Sequence, residues 1–194
     1  SPGSGGDLAT RTVTARFSEA FGQQFIVDNR VGFSGNIGAE TAARANADGY
    51  TLLVIYAGSA ISQSYHKDLK YRLDDDFVAV GQFAAVPLAL VVFPGLGVKT
   101  LSEFVALARS KPKQLHYPSP GNGSLPHLSA RLFETSAGVE LRHVPYKGTA
   151  QAVSELVGGQ TAATFAAVPT ALPLVESGRL RLLGITTAKR SPLV

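Results

Sequence analysis

The chain has 194 residues, 45% of them hydrophobic and 16% charged, with 20 Gly, 11 Pro and no Cys. This composition describes a globular chain of short elements and many turns, long enough for one large domain or two small ones. The missing cysteine removes disulfides, thiolate metal sites and cysteine nucleophiles together. The net charge of +4 is uneven: residues 1–97 carry seven Lys/Arg against nine Asp/Glu, and residues 98–194 carry eleven against five. The basic residues are scattered singly, with no run and no interleaved aromatics. That pattern argues against nucleic acid and fits a site for small anions. The longest apolar run, at 83–98, is interrupted by Pro87 and Pro94 and is shorter than the roughly 20 residues of a membrane helix. No signal peptide is visible, and a chain that starts at Ser1 and lacks Met reads as processed or as a piece of a longer one.

The first half alternates helix and strand signals. Leu8, Val13, Phe17 and Phe21 mark a helix closed by Gly22, and Phe25-Ile26-Val27 reads as a short buried strand. The turn Gly32-Phe33-Ser34-Gly35 introduces an Ala-rich helix at 36–45, and Asp48-Gly49 is a turn. Residues 50–55 have the continuous apolar character of a buried parallel strand. A short helix at 61–65 and an acidic loop at 73–77 follow. The apolar stretch 78–93 is longer than an ordinary strand, which suggests a segment that leaves one sheet and enters another. The turn Pro94-Gly95-Leu96-Gly97 marks the domain boundary.

The second half repeats the pattern. Helices are predicted at 101–110 (capped by Thr100 or Ser102, with Glu103 in the first turn), from the Gly/Pro/Ser loop 118–124 to Ala137, at 149–157 and at 170–176. Strands are predicted at 115–117, 141–144, 161–166 and 180–186. Strands and helices alternating throughout predict α/β layers with mostly parallel sheets.

Two segments resemble one another. Pro2-Gly3-Ser4-Gly5 opens the first helix, and Pro120-Gly121-Asn122-Gly123 opens a helix in the second half. In open α/β sheets such loops lie at the carboxyl ends of strands, where ligands bind. Glycine lets backbone approach a ligand closely, and the unpaired first-turn N–H groups attract an anion. Two such loops would hold the two ends of a diacid across a cleft; equally, they read as ordinary strand-to-helix turns, the first even as a linker scar. The loop Tyr56-Ala57-Gly58-Ser59 offers the Ser59 hydroxyl to a carboxylate. Thr149, after Tyr146-Lys147-Gly148, sits at a helix start, where capping alone accounts for it.

Enzyme motifs are missing. No Ser has the flanking glycines of a nucleophile elbow, no P-loop occurs, and Leu8 stands where a dinucleotide fingerprint needs its third glycine. His66, His116, His127 and His143 lack metal-ligand spacing. The sequence implies no cofactor and no metal; a hydrolase using Ser124, His127 and Asp7 is the weaker alternative.

Several segments, in order along the chain, resemble the substrate-binding proteins of tripartite tricarboxylate transporters, the TctC or Bug family. They are Gly22-Gln23 with Val27-Asp28-Asn29-Arg30, Gly35-Asn36-Ile37-Gly38-Ala39-Glu40, and Asp48-Gly49-Tyr50-Thr51-Leu52-Leu53. In the second half they are Gly121-Asn122-Gly123-Ser124 with His127-Leu128, His143-Val144-Pro145-Tyr146-Lys147-Gly148-Thr149, Gly158-Gly159-Gln160 and Ala188-Lys189-Arg190-Ser191-Pro192. The resemblance implies a type II periplasmic-binding-protein fold, with two α/β domains joined by two crossing segments and closing on a ligand. It implies residues 1–97 as a first domain, incomplete, with a crossing segment at 78–97. Residues 98–194 would be a second domain without the return crossing and final helices. It further implies a periplasmic, non-enzymatic protein that binds a small carboxylate (a di- or tricarboxylate, an acidic amino acid or a related acid) and delivers it to membrane permease subunits. A ligand-sensing module for a signalling partner stays open as an alternative. The ligand-binding residues expected are Gly3, Ser4, Asp7, Gly58, Ser59, Gly121, Asn122, Ser124, His127 and Thr149. The sequence departs from the family pattern where Ser4 replaces the second glycine of the first loop and where Phe165-Ala166-Ala167 is apolar.

Overall fold

A computed structural model of the chain describes residues 2–191; Ser1, at the edge of the first glycine loop, and residues 192–194, which include Pro192 of the last matching segment, lie outside the described residues. Helix α1 (Gly5–Phe21) forms as its apolar spacing predicts. The Ser4 hydroxyl accepts from the Asp7 amide at 3.2 Å, and the helix ends at Gly22. Ser4 has φ −70° and ψ 157°, ordinary extended backbone, so the serine serves there without strain. A 3-10 turn, Phe33–Gly35, leads into α2 (Asn36–Ala43). Helix α3 (Ala57–Tyr65) begins four residues earlier than predicted. The expected acidic loop is a single helical turn, α4 (Leu73–Asp76), whose Asp76 carboxylate accepts from the Arg72 amide at 2.7 Å. Carboxylates in a first turn complement its unpaired N–H groups.

Two expected strands do not form. Residues 25–27 and 50–55 pair with no neighbour among the described residues, and Ile26 and Tyr50 are 82% and 94% exposed. Apolar composition signals a tendency to burial, but a strand is made by inter-strand hydrogen bonds, and no described segment supplies them here. The same holds at 78–87: Val78 is 91% exposed, and pairing begins only at β1 (Leu88–Val92).

The sheets lie beyond residue 87. β1 pairs antiparallel with both β4 (Ala163–Ala167) and β5 (Arg181–Ile185), in the order β4-β1-β5. β2 (His116–Ser119) pairs parallel with β3 (Arg142–Pro145). The Ala162 amide donates to the His116 carbonyl and the Thr164 hydroxyl to the Pro118 carbonyl, both at 2.7 Å, which sets the two sheets edge to edge. The α/β class is as expected. Mostly parallel pairing holds for β2–β3 alone, because β1 enters between β4 and β5 against their common direction. β1 is buried on both faces. Leu88, Leu90 and Val92 join a core with Phe104, Tyr117 and Phe165, while Ala89 and Val91 face Leu156, Val168 and Leu180. This two-sided burial explains its unbroken apolar sequence.

The remaining helices pack on these sheets: α5 (Leu101–Ser110), α6 (Leu125–Ala137), α7 (Thr149–Val157) and α8 (Val168–Glu176). Thr100 caps α5, accepting from the Glu103 amide at 3.2 Å, while the Glu103 carboxylate accepts from the Lys99 amide at 2.7 Å. Among the described residues, no helix is long and apolar enough to cross a membrane.

Candidate functional site

Helix starts from distant parts of the chain meet. Gly5 of α1 lies against the end of β4: a Cβ there would stand 2.5 Å from the Ala167 Cβ. The Gly3 carbonyl accepts from the Thr170 hydroxyl of α8 at 3.2 Å. Gly6 lies under the Tyr56 ring, where a Cβ would come within 2.1 Å of a ring carbon. A Cβ on Gly58 of α3 would stand 3.2 Å from the Leu125 amide of α6. Gly121 approaches Ser34 and the Tyr146 carbonyl, just before α7. The starts of α1, α3, α6 and α8 are thus linked by direct contact, with the lead-in to α7 beside Gly121. No side chain caps α3, α6, α7 or α8. An uncapped start leaves N–H groups without intrahelical partners and carries the positive end of the helix dipole, so this junction favours a negative charge.

The residues singled out by sequence take different parts. The glycine amides are not bare, contrary to the expectation that they would meet an anion. The Gly3 amide donates to the Asp7 carboxylate at 2.9 Å. The Gly121 amide donates to the Ser119 hydroxyl and the Gly123 amide to His127 Nδ1, each at 3.1 Å. The Ser124 amide and hydroxyl both donate to the Gly121 carbonyl, at 3.2 and 2.7 Å. The glycines therefore shape the loops, and the helix starts without a side-chain cap are those of α3, α6, α7 and α8. Gly121 has φ +127°, a conformation that a side chain would strain.

Asp7 is 5% exposed and also accepts from Asn29 Nδ2 at 2.8 Å and Arg11 Nε at 3.1 Å. Burial alone would raise its pKa, but these hydrogen bonds, with the Gly3 amide and the Arg11 charge, bring it to about 2. Asp7 organises the start of α1, accepting from Gly3, Arg11 and Asn29. Gly58 and Ser59 lie in the first turn of α3, where the Ser59 amide returns to the Tyr56 carbonyl at 2.8 Å. Asn122 is exposed at the tip of its loop. Thr149 is the first residue of α7, and Gly148 holds the cap position before it.

Under the loop lies a ring stack that sequence reading missed. Tyr117, His143 and His127 stack with centroids 4.9 Å (Tyr117–His143) and 4.3 Å (His143–His127) apart. His143 Nε2 lies 2.6 Å from the Ser119 Oγ, which is fully buried. One assignment satisfies Ser119 and its neighbours: His143 Nε2–H and the Gly121 amide donate to Ser119, whose hydroxyl donates to the Gly121 carbonyl at 3.1 Å. Burial holds His143 near 4, with the charges of His127 and Arg131 adding to it; burial lowers His127 as well. Burial pushes the Tyr117 hydroxyl up to about 12. Both imidazoles are therefore neutral at neutral pH, which His127 needs in order to accept at Nδ1. Ser124, His127 and Asp7 form no hydrogen-bonded triad: Ser124 and His127 bond within their own loop, and Asp7 bonds to Gly3, Arg11 and Asn29. The signal for the stack was in the sequence as alternation: Tyr117 and Ser119 fall on one face of one strand, and His143 opposes Tyr117 in register on the next.

The chain has the α/β architecture of the periplasmic-binding-protein fold, and solved structures of that fold superpose closely on it. R. palustris Rpa4515 with adipate matches with a TM-score of 0.94 and 39% identity, covering 98% of this chain and 64% of that one. MatC from Rhodopseudomonas palustris with bound malate matches at 0.91 and 29%, covering 99% and 66%. The periplasmic binding protein BugD matches at 0.94 and 26%, covering 99% and 64%. The family model of the tripartite tricarboxylate transporter family receptor, TctC, matches residues 9–193, and the chain belongs to this family. Relatives include BugT of Bordetella pertussis, 34% identical over 98% of this chain, and a Pseudomonas sp. (strain P51) protein encoded in the tcbD-tcbE intergenic region, 36% identical over 98%. The chain spans 59% and 57% of the length of these two relatives.

Proposed function

We propose that the protein is a periplasmic receptor that captures a small carboxylate and presents it to the permease of a tripartite tricarboxylate transporter. The part before residue 88 and the sheet-bearing part from β1 onward close on the acid by rigid-body movement, β1 moving with its partners β4 and β5. The observation that carries this reading is the junction of α3 and α6, where two uncapped helix starts adjoin through Gly58 and Leu125. First-turn amides there bind one carboxylate, with Ser59 and Asn122 adding side-chain donors, and the starts of α1 and α7, with Thr149, bind the other end. Gly3, Ser4, Asp7, Gly121, Ser124 and His127 set the loop shapes that make this possible. Structural neighbours crystallised with adipate and with malate support a carboxylate as the ligand class. Isothermal titration of the protein with malate, adipate, citrate and glutamate tests the reading. Micromolar or tighter binding of at least one acid is expected, and no heat with any of them would overturn it.

A further inference from the structure

Four successive residues, Gly32 to Gly35, have positive φ, and two of them are not glycine: Phe33 at 46° and Ser34 at 56°. Left-handed backbone is uncommon for such residues, and a bulky aromatic there is an outlier. Two devices hold the segment in place. The Phe33 ring packs on His66 at 4.4 Å between centroids. Next to the turn, Asn36 is locked in a buried polar cluster: its Oδ1 accepts from the Ser62 hydroxyl at 3.0 Å and the Tyr71 hydroxyl at 2.7 Å, and its Nδ2 donates to Ser62 at 2.9 Å. Backbone strain sustained by surrounding structure points to a task for the strained residue.

The task is visible across the junction. The Ser34 hydroxyl donates to the Asn122 carbonyl at 2.5 Å, joining residues 88 apart in sequence. Gly121 approaches so closely that a Cβ on it would stand 3.1 Å from the same hydroxyl. On the other side of the loop, Gly123 lies against Tyr65 and His66, with its Cβ position 3.3 Å and 3.4 Å from them. The loop before α6 is therefore gripped from outside by the strained turn and from beneath by Ser119 and His127.

We infer that Ser34 is a positioning residue, a latch whose hydroxyl holds the Gly121–Asn122–Gly123 loop in its ligand-receiving shape. It touches no ligand and acts through the Asn122 carbonyl. The ligand arm of its test rests on the carboxylate-receptor reading; the exchange arm does not.

The test compares Ser34→Gly with Ser34→Asn. Glycine accepts left-handed backbone freely but has no hydroxyl; asparagine tolerates that backbone and keeps a donor. Hydrogen exchange of the Gly123 and Ser124 amides is read without ligand. It is expected to accelerate about three- to tenfold in Ser34→Gly, the range of one net hydrogen bond, and to return toward wild type in Ser34→Asn. Thermal stability of Ser34→Gly should be equal to or above wild type, because strain is relieved. Adipate dissociation, followed by surface plasmon resonance, should accelerate by a similar factor in Ser34→Gly alone. Loop exchange within twofold of wild type in Ser34→Gly overturns the latch, as does an equal rise throughout α6 or a failure of Ser34→Asn to restore it. If the wild-type protein binds neither adipate nor any other acid, the receptor reading fails while the exchange result still decides the latch.

Discussion

Mild acid should loosen this fold through His143 before it reaches Asp7. His143 is held near 4 instead of 6.5, by burial first and then by the charges of His127 and Arg131. A base whose folded value lies below its unfolded value stays neutral in the native chain while the unfolded chain takes up a proton. Its contribution is therefore complete above pH 6.5 and is lost as the pH falls toward 4. At about 1.4 kcal/mol per unit the full effect is at most about 3.5 kcal/mol. The ring is only partly buried, so solvent screening lowers this to about 1–2 kcal/mol between pH 7 and pH 5. His127, also lowered by burial, acts in the same direction. Asp7 has a separate window: its carboxyl is lowered from 3.8 to about 2, so its contribution is lost only as the pH falls through that range. Urea unfolding followed by far-ultraviolet circular dichroism at pH 7 and pH 5 should show the midpoint falling by about 0.5–1 M, for a slope near 2 kcal/mol per M. His143→Gln removes the titrating ring but keeps an amide donor for Ser119, so it should flatten the dependence. Equal loss of stability in wild type and His143→Gln over this range would refute the reasoning.

Two further changes test the packing. Gly5→Ala places a methyl 2.5 Å from the Ala167 Cβ and 3.1 Å from Val86 Cγ1, whereas carbons rest about 3.5–4.0 Å apart. The start of α1 must retreat by about 1 Å, at a cost of about 1–3 kcal/mol, and calorimetry should show Tm falling by about 2–10 °C; an unchanged Tm would contradict the close approach of α1 to β4. Phe104→Ala empties a fully buried site beside Phe133, 6.0 Å away between centroids, and should cost about 3–5 kcal/mol in urea unfolding. Leu132→Ala, at a residue 68% exposed, should stay within about 0.5 kcal/mol of wild type.

The sequence by itself determined the elements whose causes are local. Apolar spacing, with Gly22 closing α1 and Thr100 before α5, marked those helices, because caps and helical periodicity act within a turn or two. Ordered short motifs marked the family, and the TctC family model spans them. Pairing was not legible in this way. Residues 25–27 and 50–55 carry strand composition yet join no ladder, while β1, of similar character, is paired on both sides; hydrophobicity records a tendency to burial and names no partner. The site divided along the same line. Glycine loops before helices pointed to Gly58 and Gly121 as places of close approach. Only the tertiary structure decided that the Gly3 and Gly121 amides turn inward, that Asp7 is an internal acceptor, and that Ser34 and His143 serve the same loop. The two glycine amides turn to partners only four and two residues away, through the loop conformation that the fold imposes, whereas Asp7–Asn29, Ser119–His143 and Ser34–Asn122 join residues 22, 24 and 88 apart, and spacing along the chain cannot name such partners.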